Sequence, residues 1–68
     1  MTYDEIWAVP FNRIEDYFRE TGADVRIVSL PDRRIGSFSF PQTRIIITGE
    51  NADEVYRQFR IRFLSAGG

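Results

Sequence analysis

The chain of 68 residues contains no histidine, no cysteine and no lysine. These residue types supply the side chain that titrates near neutral pH, the thiolate nucleophile and the amine that forms Schiff bases. Their absence excludes a Ser-His-Asp triad, a cysteine nucleophile and a zinc site built from Cys and His. Disulfides are excluded as well, so stability must come from an apolar core or from an oligomer interface.

Carboxylates are the remaining groups for acid–base chemistry, and their positions have a structural explanation. Glu15 and Asp16, like Asp53 and Glu54, stand at the start of a predicted helix, where negative charge complements the helix dipole. No glycine-rich phosphate loop and no loop spacing typical of a calcium or magnesium site is present. We therefore expect no catalytic residue, no cofactor and no metal, and we predict a protein that is not an enzyme.

Long apolar runs are also missing. The longest, at residues 6–9, has four residues, far fewer than a membrane-spanning helix needs. The residues after Met1 do not resemble a signal peptide, and the lack of cysteine argues against a small secreted scaffold. From the sequence we expect one domain over residues 1–68, located in the cytoplasm and not bound to a membrane.

The composition favours a folded domain in which charge is unevenly distributed. Hydrophobic residues make up 43 % of the chain and aromatic residues 15 %, which is enough for a core. All nine basic residues are arginine, and the net charge is −1. Residues 1–32 carry a net charge of −4 and residues 33–68 carry +3. This asymmetry indicates a charged partner or a head-to-tail self-contact, unless the two halves interleave and cancel.

Hydrophobic periodicity and capping residues predict the elements. Residues 3–9 alternate like a strand, although Thr2 and Glu5 also form a capping box for a helix, and we favour the strand. A helix is predicted over residues 12–21 with Asn12 as its N-cap, and a second over residues 51–65 with Asn51 as its N-cap. Three strands are predicted between the helices, separated by a turn at residues 30–33 and a break at Pro41 and Gln42. They cover residues 24–30, 34–40 and 43–48.

The predicted fold is an α+β two-layer domain of order (β)αβββα. A three- or four-stranded, mostly antiparallel sheet should carry two helices on one face. The expected core residues are Phe18, Ile27, Ile45, Ile47, Val55 and Phe59. An alternative remains at residues 59–64, where Phe59, Ile61 and Phe63 alternate with arginines as in a strand. We favour the helix, which leaves Ile61 pointing away from the core.

The element order resembles that of double-stranded-RNA-binding domains, which also place three strands between two helices. In layout and length alone, that resemblance implies an RNA-binding module. The sequence departs from the family where the last helix starts, because Asp53 and Glu54 stand where that family has basic residues that grip phosphates. Arg33 and Arg34 near Phe38 and Phe40 are a separate sign of nucleic-acid binding, although the two phenylalanines are also suited to the core.

We favour a non-catalytic protein-binding module, for example an accessory or inhibitor protein of a phage or mobile element. A homodimer is one form that such binding could take. The alternative is a nucleic-acid-binding module that uses arginines and sheet aromatics. An exposed face shared by Phe38, Phe40 and the hairpin arginines would favour nucleic acid. Buried phenylalanine rings, with Trp7, Ile61 or Leu64 as the exposed apolar residues, would favour protein. The residues expected to bind the partner are Trp7, Arg33, Arg34, Arg57, Arg60, Ile61 and Leu64.

Overall fold

The computed structural model describes residues 2–21 and 24–67, with side chains described as far as Leu64. It confirms an α+β domain in which a three-stranded antiparallel sheet carries two helices, in the order βαββα. The elements are β1 (Tyr3–Trp7), α1 (Phe11–Thr21), β2 (Val25–Ile35), β3 (Phe38–Ile47) and α2 (Ala52–Gly67).

The strand order across the sheet is β1-β3-β2, so β3 is central and β1 and β2 form the edges. In the register, Ile47 lies between Tyr3 of β1 and Val25 of β2. The strand prediction for residues 3–9 is confirmed as far as Trp7, where β1 ends.

The turn predicted at residues 30–33 is wrong, because β2 continues to Ile35. The chain reverses at Gly36 and Ser37 instead, and Gly36 has a φ of 59°. A positive φ at the first of two turn residues is typical of the type II′ hairpin, which suits glycine. Pro31 falls within a bulge of an edge strand, where its missing N–H is tolerated.

The break predicted at Pro41 and Gln42 is also wrong, since β3 passes through both residues. Pro41 lies opposite the bulge of β2 and beyond Thr43, the last residue of β3 that pairs with β1. It has no partner in either register, so its missing N–H interrupts no paired position. The predicted strand over residues 34–40 is therefore divided between the end of β2 and the start of β3, and the described residues form two strands between the helices.

The core lies between the sheet and the two helices. Six apolar residues are buried there, and Phe59 of α2 lies at the centre of an aromatic cluster. Its ring centroid is 4.7 Å from Trp7, 4.8 Å from Phe63 and 5.3 Å from Phe18. Ile27 and Val55 are half-buried against this cluster. The buried apolar residues are Ile14, Phe18, Ile45, Ile47, Ala52 and Phe59, which confirms four of the predicted core positions in full.

The helix prediction for residues 59–64 is confirmed, because α2 continues without interruption to Gly67. The strand alternative is wrong there. Helix α2 begins directly after Asn51, as its cap predicts. Helix α1 begins at Phe11, so Asn12 is not its cap; the carbonyl of Pro10 accepts the first backbone hydrogen bonds instead.

Candidate docking surface on the open face of the sheet

Side chains of a strand alternate between the two faces of a sheet, and the helices cover only one face here. Thr43, Ile45 and Ile47 of β3 point to the helices and are buried. The alternate residues of β3, with their register partners, form the opposite surface, which we call the open face. It consists of Asp4 and Ile6 of β1, Arg26, Val28, Leu30, Arg33 and Ile35 of β2, and Phe38, Phe40, Gln42, Arg44 and Ile46 of β3.

The open face is unusually apolar for a surface without a helical layer. Among the described residues, seven large hydrophobic side chains are exposed, and five of them lie on this face. Phe38 is 67 % exposed and Phe40 is 40 % exposed, with Ile6, Val28 and Ile35 as the other three. Contiguous apolar surface of this kind marks interaction sites in proteins that fold alone.

The distal part of the β2–β3 hairpin extends this face beyond the helices. Every residue from 31 to 40, here called the arm, is exposed, and the molecule measures 41 × 22 × 19 Å. The rings of Phe38 and Phe40 lie 6.4 Å apart at an angle of 25°. Both phenylalanines are also suited to the core, but they are exposed because they lie on the sheet face opposite the helices.

The bulge in β2 decides which arginine joins the open face. It adds one residue to β2 between Leu30 and Arg33, which reverses the alternation beyond it. Arg33 therefore pairs with Phe40 on the open face, whereas Arg34 pairs with Ser39 on the other face of the arm. Arg33 and Arg34 are adjacent in the sequence, but the structure places them on opposite faces of the arm.

A shallow depression of about 420 Å³ lies within the open face, near the end of β1 and the start of the arm. Its lining residues are Ile6, Ala8, Arg33, Ile35, Phe40 and Gln42. All of them except Gln42 are exposed, so a small molecule in this depression would remain largely open to solvent. Sites for small molecules usually bury most of the ligand. This depression suits contact with a larger surface instead.

The charges on the open face are mostly positive and partly neutralised. Arg44 donates two hydrogen bonds to the carboxylate of Asp4, at 2.8 and 2.5 Å. These bonds hold the pKa of Asp4 below its ordinary value. Arg26 and Arg33 have no carboxylate partner among the residues that the structure describes. The unpaired charge on this face is therefore that of two arginines.

The other residues expected to bind a partner lie away from this face. Trp7 is half-buried against Phe59, and its indole N–H donates to Glu5 at 2.9 Å. Ile61 and Leu64 are exposed on α2, 54 % and 53 % respectively, as expected for a continuous helix.

The two arginines of α2 in that prediction both contact side chains of their own helix. Arg57 donates to both carboxylate oxygens of Glu54, at 3.0 and 2.9 Å. The guanidinium of Arg60 lies 5.6 Å from the centre of the Tyr56 ring. The structure therefore brings only Arg33, of the seven predicted residues, to the open face.

A polar network joins β1 to α2 on the helix side. The hydroxyl of Tyr56 donates to Glu5 at 2.7 Å, and the hydroxyl of Tyr3 donates to Asp53. The hydrogen bond to Glu5 raises the pKa of Tyr56, and the bond to Asp53 raises that of Tyr3. The two tyrosine rings stack with centroids 4.1 Å apart. Glu5 is partly buried because it accepts hydrogen bonds from Trp7 and Tyr56, so its position has a structural explanation and requires no catalytic one.

The described residues offer few alternatives to a docking surface. Two depressions of about 220 Å³ lie beside α1 and α2, around Tyr17. Within residues 2–21 and 24–67, no three metal-ligating side chains come together. In the same part of the chain, neither helix has the length and apolar character needed to cross a membrane.

Comparisons with known proteins give no family for this chain. No protein-family model matches the sequence, and no curated protein is significantly similar to it. The resemblance to double-stranded-RNA-binding domains does not hold for the layout, because two strands rather than three lie between the helices. The acidic start of α2, with Asp53 and Glu54, is a second difference.

Most of the open face was not anticipated from the sequence. Ile6, Val28 and Ile35 were not among the predicted site residues, although each lies in a segment with apolar residues of both parities. Such strands are covered on both faces in most proteins. Residues 2–21 and 24–67 form two helices, and both lie on one face of the sheet, so neither covers the second face. That mismatch is the signal that would have identified the open face.

Proposed function

We propose that this protein is a non-catalytic protein-binding module and that the open face of its sheet is the docking surface for another protein. The observation that carries the proposal is the grouping of five exposed large hydrophobic residues on the one sheet face without helices. Burying such a surface contributes about 25 cal/mol for each Å² removed from water. The aromatic side chains Phe38 and Phe40 are suited to act as anchors.

A different protein fits this face better than a second copy of the chain. In a symmetric dimer formed face to face, each open face would meet an identical one. Arg26 and Arg33 of one copy would then face the same two positive charges of the other copy, and this repulsion opposes the dimer. An unrelated partner meets no such repulsion, and it can offer opposite charge.

Nucleic acid is the alternative class of ligand, and the exposure of Phe38 and Phe40 beside Arg33 is the result expected of a nucleic-acid-binding surface. Arg34 does not share that surface, because it lies on the other face of the arm. The exposed, nearly parallel rings of Phe38 and Phe40 beside Arg33 favour stacking on single-stranded bases. Three of the five exposed apolar residues are aliphatic, however, and they offer no ring for stacking. The open face also has only two arginines without a carboxylate partner among the described residues, which provides little of the counterion release that dominates nucleic-acid affinity. We therefore argue for protein and keep nucleic acid as an outcome of the test.

Site-specific photo-crosslinking tests the proposal. A photoreactive phenylalanine analogue replaces Phe40 on the open face, and in a matched control it replaces Leu64 on the outer face of α2. Both proteins are exposed to light in extracts of the cells that make the protein. We expect a crosslinked protein from position 40 that Val28→Arg abolishes, because that change places charge in the centre of the face.

The other outcomes each contradict the proposal in a distinct way. A crosslink from position 64 alone would move the docking surface to α2. A crosslink from position 40 to a second copy, with a dimer in sedimentation, would show self-association. A nuclease-sensitive product would show nucleic acid. A product that survives Val28→Arg would be unrelated to the open face, and no product would remove the docking surface.

A further inference from the structure

We infer that the partner segment on the open face is apolar and carries carboxylates, and that Arg33 is the residue that selects them. This inference rests on the proposed function, since it concerns the same surface. It adds the chemistry of the partner: an apolar segment with Asp or Glu placed opposite the start of the arm.

The surroundings of Arg33 carry the inference. Arg33 lines a depression whose other walls are mainly apolar, with Ile6, Ile35 and Phe40 among them. A partner that fills this depression removes water from around Arg33. A charge that loses its water needs a partner, and Arg33 has no carboxylate partner among the described side chains. A carboxylate from the docked segment can accept two parallel hydrogen bonds from the guanidinium.

The neighbouring arginines show why Arg33 is singled out. Arg44 also lies on the open face, but both of its hydrogen bonds go to Asp4. Arg34 follows Arg33 in sequence but stands opposite Ser39 on the other face of the arm. Arg26 is unpaired and lies beside Ile46, outside the depression. Arg34 is therefore a matched control, with the same charge and exposure class on the opposite face.

Selection from a random library of displayed 12-residue peptides tests the inference without knowledge of the natural partner. The intact protein is immobilised, and bound peptides are sequenced after several rounds. We expect enriched peptides to combine aromatic or aliphatic residues with an excess of Asp and Glu over the starting library. Binding of synthetic copies to wild type, Arg33→Glu and Arg34→Glu is then measured by fluorescence anisotropy.

The two arginine variants should differ clearly in their affinity for the selected peptides. Arg33→Glu should weaken binding by about tenfold or more, as expected for a charge-assisted hydrogen bond that is lost. Arg34→Glu should change affinity by less than about twofold, because its side chain points away from the docked peptide. A peptide with Lys in place of its carboxylate should regain affinity for Arg33→Glu. Unchanged melting temperatures would show that both variants remain folded.

The outcomes distinguish failure of this inference from failure of the proposed function. Neutral or basic peptides that still require Val28 and Phe40 would overturn the inference and leave the docking surface in place. Equal losses in the two arginine variants would show long-range attraction without selection by Arg33, which also overturns it. Peptides whose affinity is unchanged by Val28→Arg and Phe40→Ser would contradict both the inference and the proposed function. A selection that enriches no peptide would do the same. Binding of single-stranded oligo(dT) in place of peptides would identify nucleic acid as the ligand.

Discussion

Replacing Phe59 by alanine is the most severe single test of the core. The side chain is fully buried and contacts the rings of Trp7, Phe18 and Phe63. Truncating a buried phenylalanine costs about 3–5 kcal/mol. A domain of this length has about 3–10 kcal/mol of total stability, at about 0.05–0.15 kcal/mol per residue. Each kcal/mol lost lowers the melting temperature by about 4–8 °C. The melting temperature of Phe59→Ala should therefore fall by at least about 12 °C, or the domain should be unfolded at room temperature.

The chain offers an internal control for this experiment. Phe38→Ala makes the same chemical change at a side chain that is 67 % exposed, and it should alter stability by no more than about 0.5 kcal/mol. Unfolding is followed by circular dichroism and by the fluorescence of Trp7, the single tryptophan. Phe59→Leu keeps part of the packing and should retain a cooperative transition. Equal losses in Phe59→Ala and Phe38→Ala would refute this account of the core and of the open face.

Three further predictions follow from local geometry. The hydrogen bond to Glu5 raises the pKa of Tyr56 above 10.0, so its contribution to the free energy of unfolding should be complete below pH 10 and fall as the pH rises through the raised pKa. Urea denaturation at stepped pH checks this, and Tyr56→Phe should flatten the alkaline decline. Gly36 has a φ of 59°, so Gly36→Ala should lower the free energy of unfolding by about 1–2 kcal/mol, measured by thermal unfolding. Gly36→Asn should cost less, because asparagine tolerates a positive φ better than alanine does. Equal costs in the two variants would contradict this explanation from the backbone. Ile61→Asp should fold normally and leave the sedimentation coefficient unchanged, since Ile61 is exposed on α2; an unfolded variant would place it in the core.

Helix α1 and the buried face of β3 could be predicted because their patterns have one interpretation each. On α1, the spacing of Ile14 and Phe18 fits one helical stripe, and both residues are buried. Along β3, Ile45 and Ile47 alternate with Ile46, and the structure keeps that alternation. At these positions, local periodicity and tertiary packing favour the same arrangement.

The hairpin could not be predicted because its prolines have two interpretations. Pro31 and Pro41 are typical of turns and breaks, and sequence alone gives no strand position. A strand tolerates Pro31 because it lies in the bulge, and it tolerates Pro41 because the pairing with β1 ends at Thr43. Both conditions are visible only in the pairing register. The bulge also turns Arg33 and Ile35 to the side of Phe40, so their place on the docking surface depends on it.

The place of β1 in the sheet has a consequence for the order of folding. Its register partners lie in β3, so Trp7 must meet Thr43 across about half of the chain. Closing a loop of about 40 residues costs about 3 kcal/mol of chain entropy before any contact repays it. The β2–β3 hairpin needs only a two-residue turn, and α2 follows β3 closely. We therefore expect the hairpin to form first and β1 to dock last, so that substitutions in β1 mainly accelerate unfolding.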